Sequence, residues 1–177
     1  MGSGSGAVGR FELNTSLDEA QRTRYQDARV IRDLITRSQT IAVVGLSANR
    51  QKASFFVASY LQSEGYRIIP VNPRGGVILG EPVYPDLRTV PVKIDIVDIF
   101  RPVAEVAGIV DQALEVGARA VWMQLRIIDF AAADRALSAG LEVVMDKCVK
   151  MEHGRFGGSL HWAGMNTEII SARKARR

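Results

Sequence analysis

The apolar positions of this chain follow two periods in alternation. Over residues 15–39, "TSLDEAQRTRYQDARVIRDLITRSQ", the residues Leu17, Tyr25, Ala28, Ile31 and Ile35 recur near the helical repeat with charges between them. Ser16 stands three residues before Glu19, the spacing of a capping box. This predicts one amphipathic helix packed on the outside of the remaining elements. The pattern then changes. "TIAVVG" is a continuous apolar run of the kind that forms a strand buried on both faces. "SFFVASYLQSEGY" reads as a helix stopping around Gly65, and "RIIPVN" as a second strand ended by "PRGG". "VILGEPVYPDLRTVP" is a connector rich in turn residues, with room for one short helical turn. "KIDIVDIF" is a third strand, and "PVAEVAGIVDQALEVGA" a helix with Pro102 near its first turn and Gly117 closing it. "RAVWMQL" is a strand, "DFAAADRALSAG" a helix and "LEVVMDKC" a last strand.

Strands that alternate with helices imply parallel pairing through right-handed crossovers, with helices on both faces. The predicted fold is therefore α/β: a doubly wound, mostly parallel, Rossmann-like sheet. Residues 16–165 are expected to form a single domain, preceded by residues 1–15, whose opening "MGSGSG" reads as an expression linker, and succeeded by a basic tail at 166–177. In such sheets a ligand sits beyond the carboxyl ends of the strands, at the point where strand order reverses.

Composition narrows the function. The formal net charge is +4, but Arg173, Lys174, Arg176 and Arg177 all stand in the last five residues, and the chain without them is neutral. General affinity for nucleic acid is not expected. No apolar run is long enough to cross a bilayer and no export signal opens the chain, so no membrane partner is expected and the expected location is cytoplasmic. Cys148 is the only cysteine, and His153 and His161 are the only histidines. That leaves no internal disulfide and no metal site with enough ligands. Both histidines come after the last strand, in "EHGRFGGSLHW", where a surface turn is the expected setting.

The strand ends carry the candidate chemistry. The first, "GLSANRQKAS", runs from Gly45 and Leu46 through Ser47, Asn49, Arg50, Lys52 and Ser54 into a helix start, a place that attracts phosphate. Gly45 permits a sharp turn and close approach. Ser47, Asn49 and Ser54 offer hydrogen bonds, and Arg50 and Lys52 offer charge. A dinucleotide fingerprint is missing, because Ser47 and Arg50 stand where its second and third glycines belong. The second, "VNPRGG", places Asn72, Pro73 and Arg74 where an NAD-binding chain would have a carboxylate. An arginine there suits a phosphorylated ribose, as in coenzyme A or NADP, with capping of a turn as the lesser alternative. The third releases Phe100 and Arg101 together, an aromatic face and a cation for an adenine and its phosphates, with Asp98 expected to hold loop amides. The fourth presents Gln124, suited to an amide or a pantetheine group. The last ends on Lys147 and Cys148. A lone buried thiol is usually inert, whereas a functional Cys148 would lie near a ligand thiol.

The blocks "IAVVGLS", "VASYLQSEGYRIIPVNP", "ILGEPVYPDL", "DIVDIFR", "GARAVWMQL" and "GLEVVMDKCVKMEH" occur in one register. Together, from Thr40 to about His153, they resemble the small stand-alone CoA-binding domain proteins of bacteria and archaea. These share the fold of the N-terminal domain of the succinyl-CoA synthetase alpha subunit. The resemblance implies a Rossmann-like fold that binds coenzyme A or an acyl-CoA, with no catalytic activity generally established. It would set the nucleotide and phosphates against Gly45, Ser47, Asn49, Arg50 and Lys52, against Asn72, Pro73 and Arg74, and against Phe100 and Arg101. The sequence departs from that pattern at Arg126, where the family usually has glycine. It departs also in the first loop, where Phe55 and Phe56 replace residues that would favour a phosphate.

No paired acids, Ser–His–Asp set or metal cluster is legible, so the expected function is binding without catalysis. Two alternatives stand beside it: an NADP-dependent reductase, and a nucleotide-binding subunit of a larger acyl-CoA ligase. The amphipathic N-terminal helix is compatible with a homodimer.

Overall fold

The computed structural model describes residues 16–157. The predicted His161 and the basic tail lie outside the described residues. The N-terminal segment forms two helices instead of one, α1 (Glu19–Tyr25) and α2 (Ala28–Arg37). The break falls at Asp27, whose carboxylate accepts from the amides of Arg29 and Val30 and starts α2 afresh. The capping box also differs from the expected one. Asp18 and Gln21 form it reciprocally, while the Ser16 amide donates to Asp146 Oδ2 at 3.1 Å. The helix therefore starts two residues later than the spacing of Ser16 and Glu19 implied, and the Ser16 backbone is tied to a distant carboxylate.

After α2 the order is β1 (Thr40–Val44), α3 (Ala53–Ser63), β2 (Arg67–Val71), a small hairpin of β3 (Val77–Ile78) and β4 (Glu81–Pro82), and a 3₁₀ turn at Leu87–Thr89. Then come β5 (Ile96–Ile99), α4 (Val103–Glu115), β6 (Ala120–Met123), α5 (Phe130–Ser138), β7 (Glu142–Val144) and α6 (Val149–Phe156). The main sheet is entirely parallel with strand order β2-β1-β5-β6-β7. This is the doubly wound arrangement expected from the alternation, and its switch point lies between β1 and β5.

The two-residue period of each strand sorts its side chains between two cores. Ala42, Val44, Val97, Ile99, Val121 and Met123 face the layer that contains α4 and α5. Ile41, Val43, Ile96, Trp122 and Val144 face the layer of α2, α3 and α6. Both faces are covered, which is why "IAVV" is apolar without interruption. Helix α6 was not anticipated from the sequence. It carries His153, which is buried in the second layer instead of standing in a surface turn. Among the described residues no helix is long and apolar enough to cross a membrane.

Candidate functional site

Five strand ends open on one side of the sheet. At the switch point Gly45 has φ +91°, and its amide donates to the Val71 carbonyl at 2.8 Å. A Cβ there would lie 2.8 Å from the Phe100 carbonyl oxygen and 2.7 Å from Arg101 Cδ. The ends of β1 and β5 therefore approach as closely as a residue without a side chain permits, and the crevice is floored by backbone.

The loop after β1 is braced by its own polar side chains. The Ser47 amide donates to Ser54 Oγ at 3.2 Å, the Asn49 amide to Ser47 Oγ at 3.1 Å, and the Gln51 amide to Asn49 Oδ1 at 2.9 Å. These oxygens act as acceptors within the loop, which leaves the Ser47 hydroxyl hydrogen and the Asn49 amide group as outward donors. Leu46 is fully buried, so its side chain belongs to the core and only its backbone borders the loop. Ser54 is also buried. Lys52 occupies the N-cap position of α3 and provides no side-chain acceptor, so the first amides of that helix end uncapped.

Across the crevice, Asn72 donates its side-chain amide to the Leu46 carbonyl at 3.0 Å and accepts from the Arg74 amide at the same distance. It is a tie between two strand ends. Pro73 and Arg74 are exposed beside it. Among the described residues no carboxylate pairs with Arg50, Lys52 or Arg74. Arg101, by contrast, is held bidentately by Glu105, at 2.8 and 2.7 Å. Its charge is therefore partly satisfied before any ligand arrives. Phe100 is half-buried and packs toward the α3 layer. Phe55 packs into that layer as well, while exposed Phe56 carries the Lys150 ammonium over its ring at 4.2 Å.

The ends of β5 and β6 hold a pair that sequence reasoning missed. Asp98 is completely buried and does not hold loop amides. It accepts one hydrogen bond from Gln124 Nε2, at 2.7 Å, and its other oxygen has no partner among the described residues. Burial pushes its pKa up to about 7, with the Gln124 bond opposing. Gln124, proposed from sequence as a ligand contact, is thus buried with its amide nitrogen committed to Asp98. The only sequence signal was an aspartate in mid-strand among apolar neighbours.

Further along, Trp122 Nε1 donates to the Lys147 carbonyl at 2.8 Å. Asp146, with φ +56°, accepts from the Arg126 amide at 2.7 Å. Lys147 lies 3.6 Å from Glu152, which is buried against Arg155. The spacing of three between Glu152 and Arg155 was the available signal for that pair. Cys148 heads α6, half-buried, and burial raises its thiol above the usual range, so it remains protonated at neutral pH.

Arg126 has φ +63° and an exposed side chain. That backbone region favours glycine over a residue with a side chain. The side chain points to no partner among the described residues, so Arg126→Gly is expected to stabilise the fold by about 1 kcal/mol. Thermal unfolding should show a rise of roughly 2–4 °C. A fall would show that the arginine side chain itself contributes.

The sequence profile of the CoA binding domain family matches residues 39–154, the whole run from the start of β1 into α6. This chain belongs to the CoA-binding domain family. Within it, YneT of Bacillus subtilis is 36% identical over 123 residues, covering 70% of this chain and 91% of its own. A solved protein from Pyrococcus horikoshii OT3 is also 36% identical, with a TM-score of 0.71, covering 73% of this chain and 91% of its own. The apo acetyl-coenzyme A synthetase 1 of Candidatus Korarchaeum cryptofilum is 26% identical with a TM-score of 0.57. The match covers 66% of this chain but 28% of the synthetase, so the CoA-binding domain resembles one portion of that larger protein.

Proposed function

We propose that this protein binds coenzyme A or an acyl-CoA in the crevice at the β1/β5 switch point, without carrying out chemistry on it. The observation that carries the reading is that three cations with no carboxylate partner among the described residues, Arg50, Lys52 and Arg74, stand in the loops that follow β1 and β2, the first of which leads into an α3 start with no side-chain cap and begins at the backbone floor at Gly45. The pyrophosphate lies on the first amides of α3, where the helix dipole and Arg50 and Lys52 favour negative charge. The forked donors of Arg74 take the ribose phosphate. Adenine packs against Phe100, with Arg101 at the rim. Gly45, Leu46, Ser47 and Asn49 contribute backbone approach and outward donors, while Ser54, Asn72, Pro73 and Gln124 shape and brace the site. Membership of the CoA-binding domain family and the likeness to an acetyl-CoA synthetase portion support the ligand class. The described residues bring together no set of three metal-ligating side chains. A cytoplasmic location accords with the ligand, whose pools are intracellular.

Calorimetric titration of the pure protein with coenzyme A, dephospho-CoA, NADP and NAD tests this. Coenzyme A is expected to bind best, and loss of the 3′-phosphate to weaken binding about tenfold, the worth of one charge-assisted contact. Arg74→Ala should abolish most of that difference. If NADP outcompetes coenzyme A, a reductase reading replaces this one, because Arg74 would equally serve a 2′-phosphate. Equal affinity for coenzyme A and dephospho-CoA would remove Arg74 from the site.

A further inference from the structure

We propose that Asp98 is a positioning residue that fixes which end of the Gln124 side-chain amide meets the ligand, so that the mouth of the sheet offers a carbonyl acceptor and selects a neutral N–H donor. In coenzyme A that donor is one of the two secondary amides of the pantetheine arm. The inference rests on the coenzyme A reading and extends it from the phosphates to the arm.

Asp98 lies on β5 opposite Trp122 on β6, and Gln124 directly follows the last residue of β6. The two-residue period puts all three side chains on the face that carries α3 and α6. Asp98 is completely buried and Gln124 is 5% exposed. They meet through one hydrogen bond of 2.7 Å, from Gln124 Nε2 to Asp98 Oδ1. The two ends of a side-chain amide are alike in shape and opposite in polarity, so the partner decides which end is offered. An ionised carboxylate can only accept. It therefore holds the amide nitrogen inward and turns the oxygen away.

That oxygen is available. Among the described residues, the side-chain oxygens sealed from solvent without a partner are Ser38 Oγ and Asp98 Oδ2. Gln124 Oε1 is neither of these, and no described donor reaches it, so it meets solvent. The opening is narrow, since nearly all of the residue is covered. The layer on that face contains Trp122, half-buried Phe100 and the Cys148 thiol, which burial keeps protonated and which lies within electrostatic reach of Asp98. A narrow opening that ends on one carbonyl oxygen suits a single neutral donor. An ammonium would bring three donors and need more acceptors than the opening supplies. The position also fits the arm. β6 stands two strand spacings, roughly 10 Å, from β1, whose loop takes the pyrophosphate. The pantetheine arm leaves the pyrophosphate and is long enough to cross that gap.

Calorimetry at pH 8, where Asp98 with its pKa of about 7 is ionised, tests the inference. The ligands are coenzyme A, 3′-phospho-ADP, which lacks the arm, and two coenzyme A analogues, each with one arm amide replaced by an ester. The parent is expected to bind 3′-phospho-ADP. It is also expected to bind one of the esters about tenfold more weakly than coenzyme A, because that ester turns an oxygen toward the Gln124 oxygen. Gln124→Leu should erase the difference by removing the acceptor. Asp98→Leu should erase it by freeing the amide to turn its nitrogen outward, whereas a purely structural role for Asp98 would shift all affinities together and leave the ratio unchanged. If Asp98→Leu does not fold, NMR of the parent decides instead. The Gln124 side-chain amide protons, assigned by their loss in Gln124→Leu, should stay protected from exchange before and after coenzyme A is added. Fast exchange in either state would overturn the inference. So would equal affinity of the parent for coenzyme A and both esters, or a discrimination that survives in Asp98→Leu. Failure of 3′-phospho-ADP to bind the parent would instead overturn the coenzyme A reading, and this inference with it.

Discussion

Gly45→Ala is expected to lose about 2–5 kcal/mol of stability and at least tenfold in coenzyme A affinity. Two effects add. The residue has φ +91°, a region that L side chains enter at a cost of about 1–2 kcal/mol. The new methyl would also sit 2.8 Å from the Phe100 carbonyl oxygen. Arg101 Cδ, the other near atom, can swing aside, but the carbonyl is part of the β5 backbone and cannot move without opening the switch point. Overpacking of this kind costs about 1–3 kcal/mol. Thermal unfolding should register a fall of roughly 6–12 °C. The same displacement would part the strand ends that floor the crevice, which calorimetry with coenzyme A would report. A variant that melts within 2 °C of the parent would show that the strand ends yield easily.

Asp98→Asn is expected to flatten the pH dependence of stability between pH 4 and pH 8 and to make the protein more stable at pH 8. Asp98 is fully buried, with one oxygen unpartnered and its pKa raised to about 7. A carboxyl whose folded pKa lies above its unfolded value holds its proton more tightly in the folded state. Its favourable contribution is present below the unfolded pKa near 4 and is lost as pH rises through about 7. The parent should therefore lose about 2–4 kcal/mol across that range from this group. Asparagine remains neutral and can still accept from Gln124, so the two proteins should be similar near pH 4.5 and diverge above pH 6. His153, whose pKa is lowered by burial, acts with the opposite sign below its unfolded pKa near 6.5. That contribution is common to both proteins and cancels in their difference. Urea unfolding at several pH values measures it, and parallel pH profiles would show that Asp98 ionises without penalty.

The local signals that were legible and those that were not differ in one respect, which is sequence distance. The loop after β1 could be read because its glycine, polar residues and cations are consecutive. The capture of Arg101 by Glu105 was also within reach, since the two stand four residues apart across the start of α4. In contrast, Gln124 reads as a polar residue free to meet a ligand until Asp98, 26 positions earlier, is found to hold it. Ser16 reads as a helix cap, but Asp18 holds that role two positions on, and the Ser16 amide is tied instead to Asp146, 130 positions later. His153 was expected in a surface turn because nothing in "EHGRFGG" announces a buried helix. Its burial comes from Tyr66 and from Tyr60, 93 positions earlier.

Periodicity and punctuation along the chain determined the alternation of strands and helices, and from it the parallel, doubly wound sheet with its ligand-facing edge. Each strand shows its burial in its own residues, and right-handed crossovers leave few ways to join such strands. Only the tertiary structure decided which polar groups at that edge are available and which are consumed. Arg50, Lys52 and Arg74 are left uncompensated, whereas the Gln124 nitrogen, Asn72 and Ser54 are spent on bracing. The reason is physical. A hydrogen bond or a buried charge is set by whatever lies within about 3 Å, and in a folded chain that neighbour is often a residue remote in sequence.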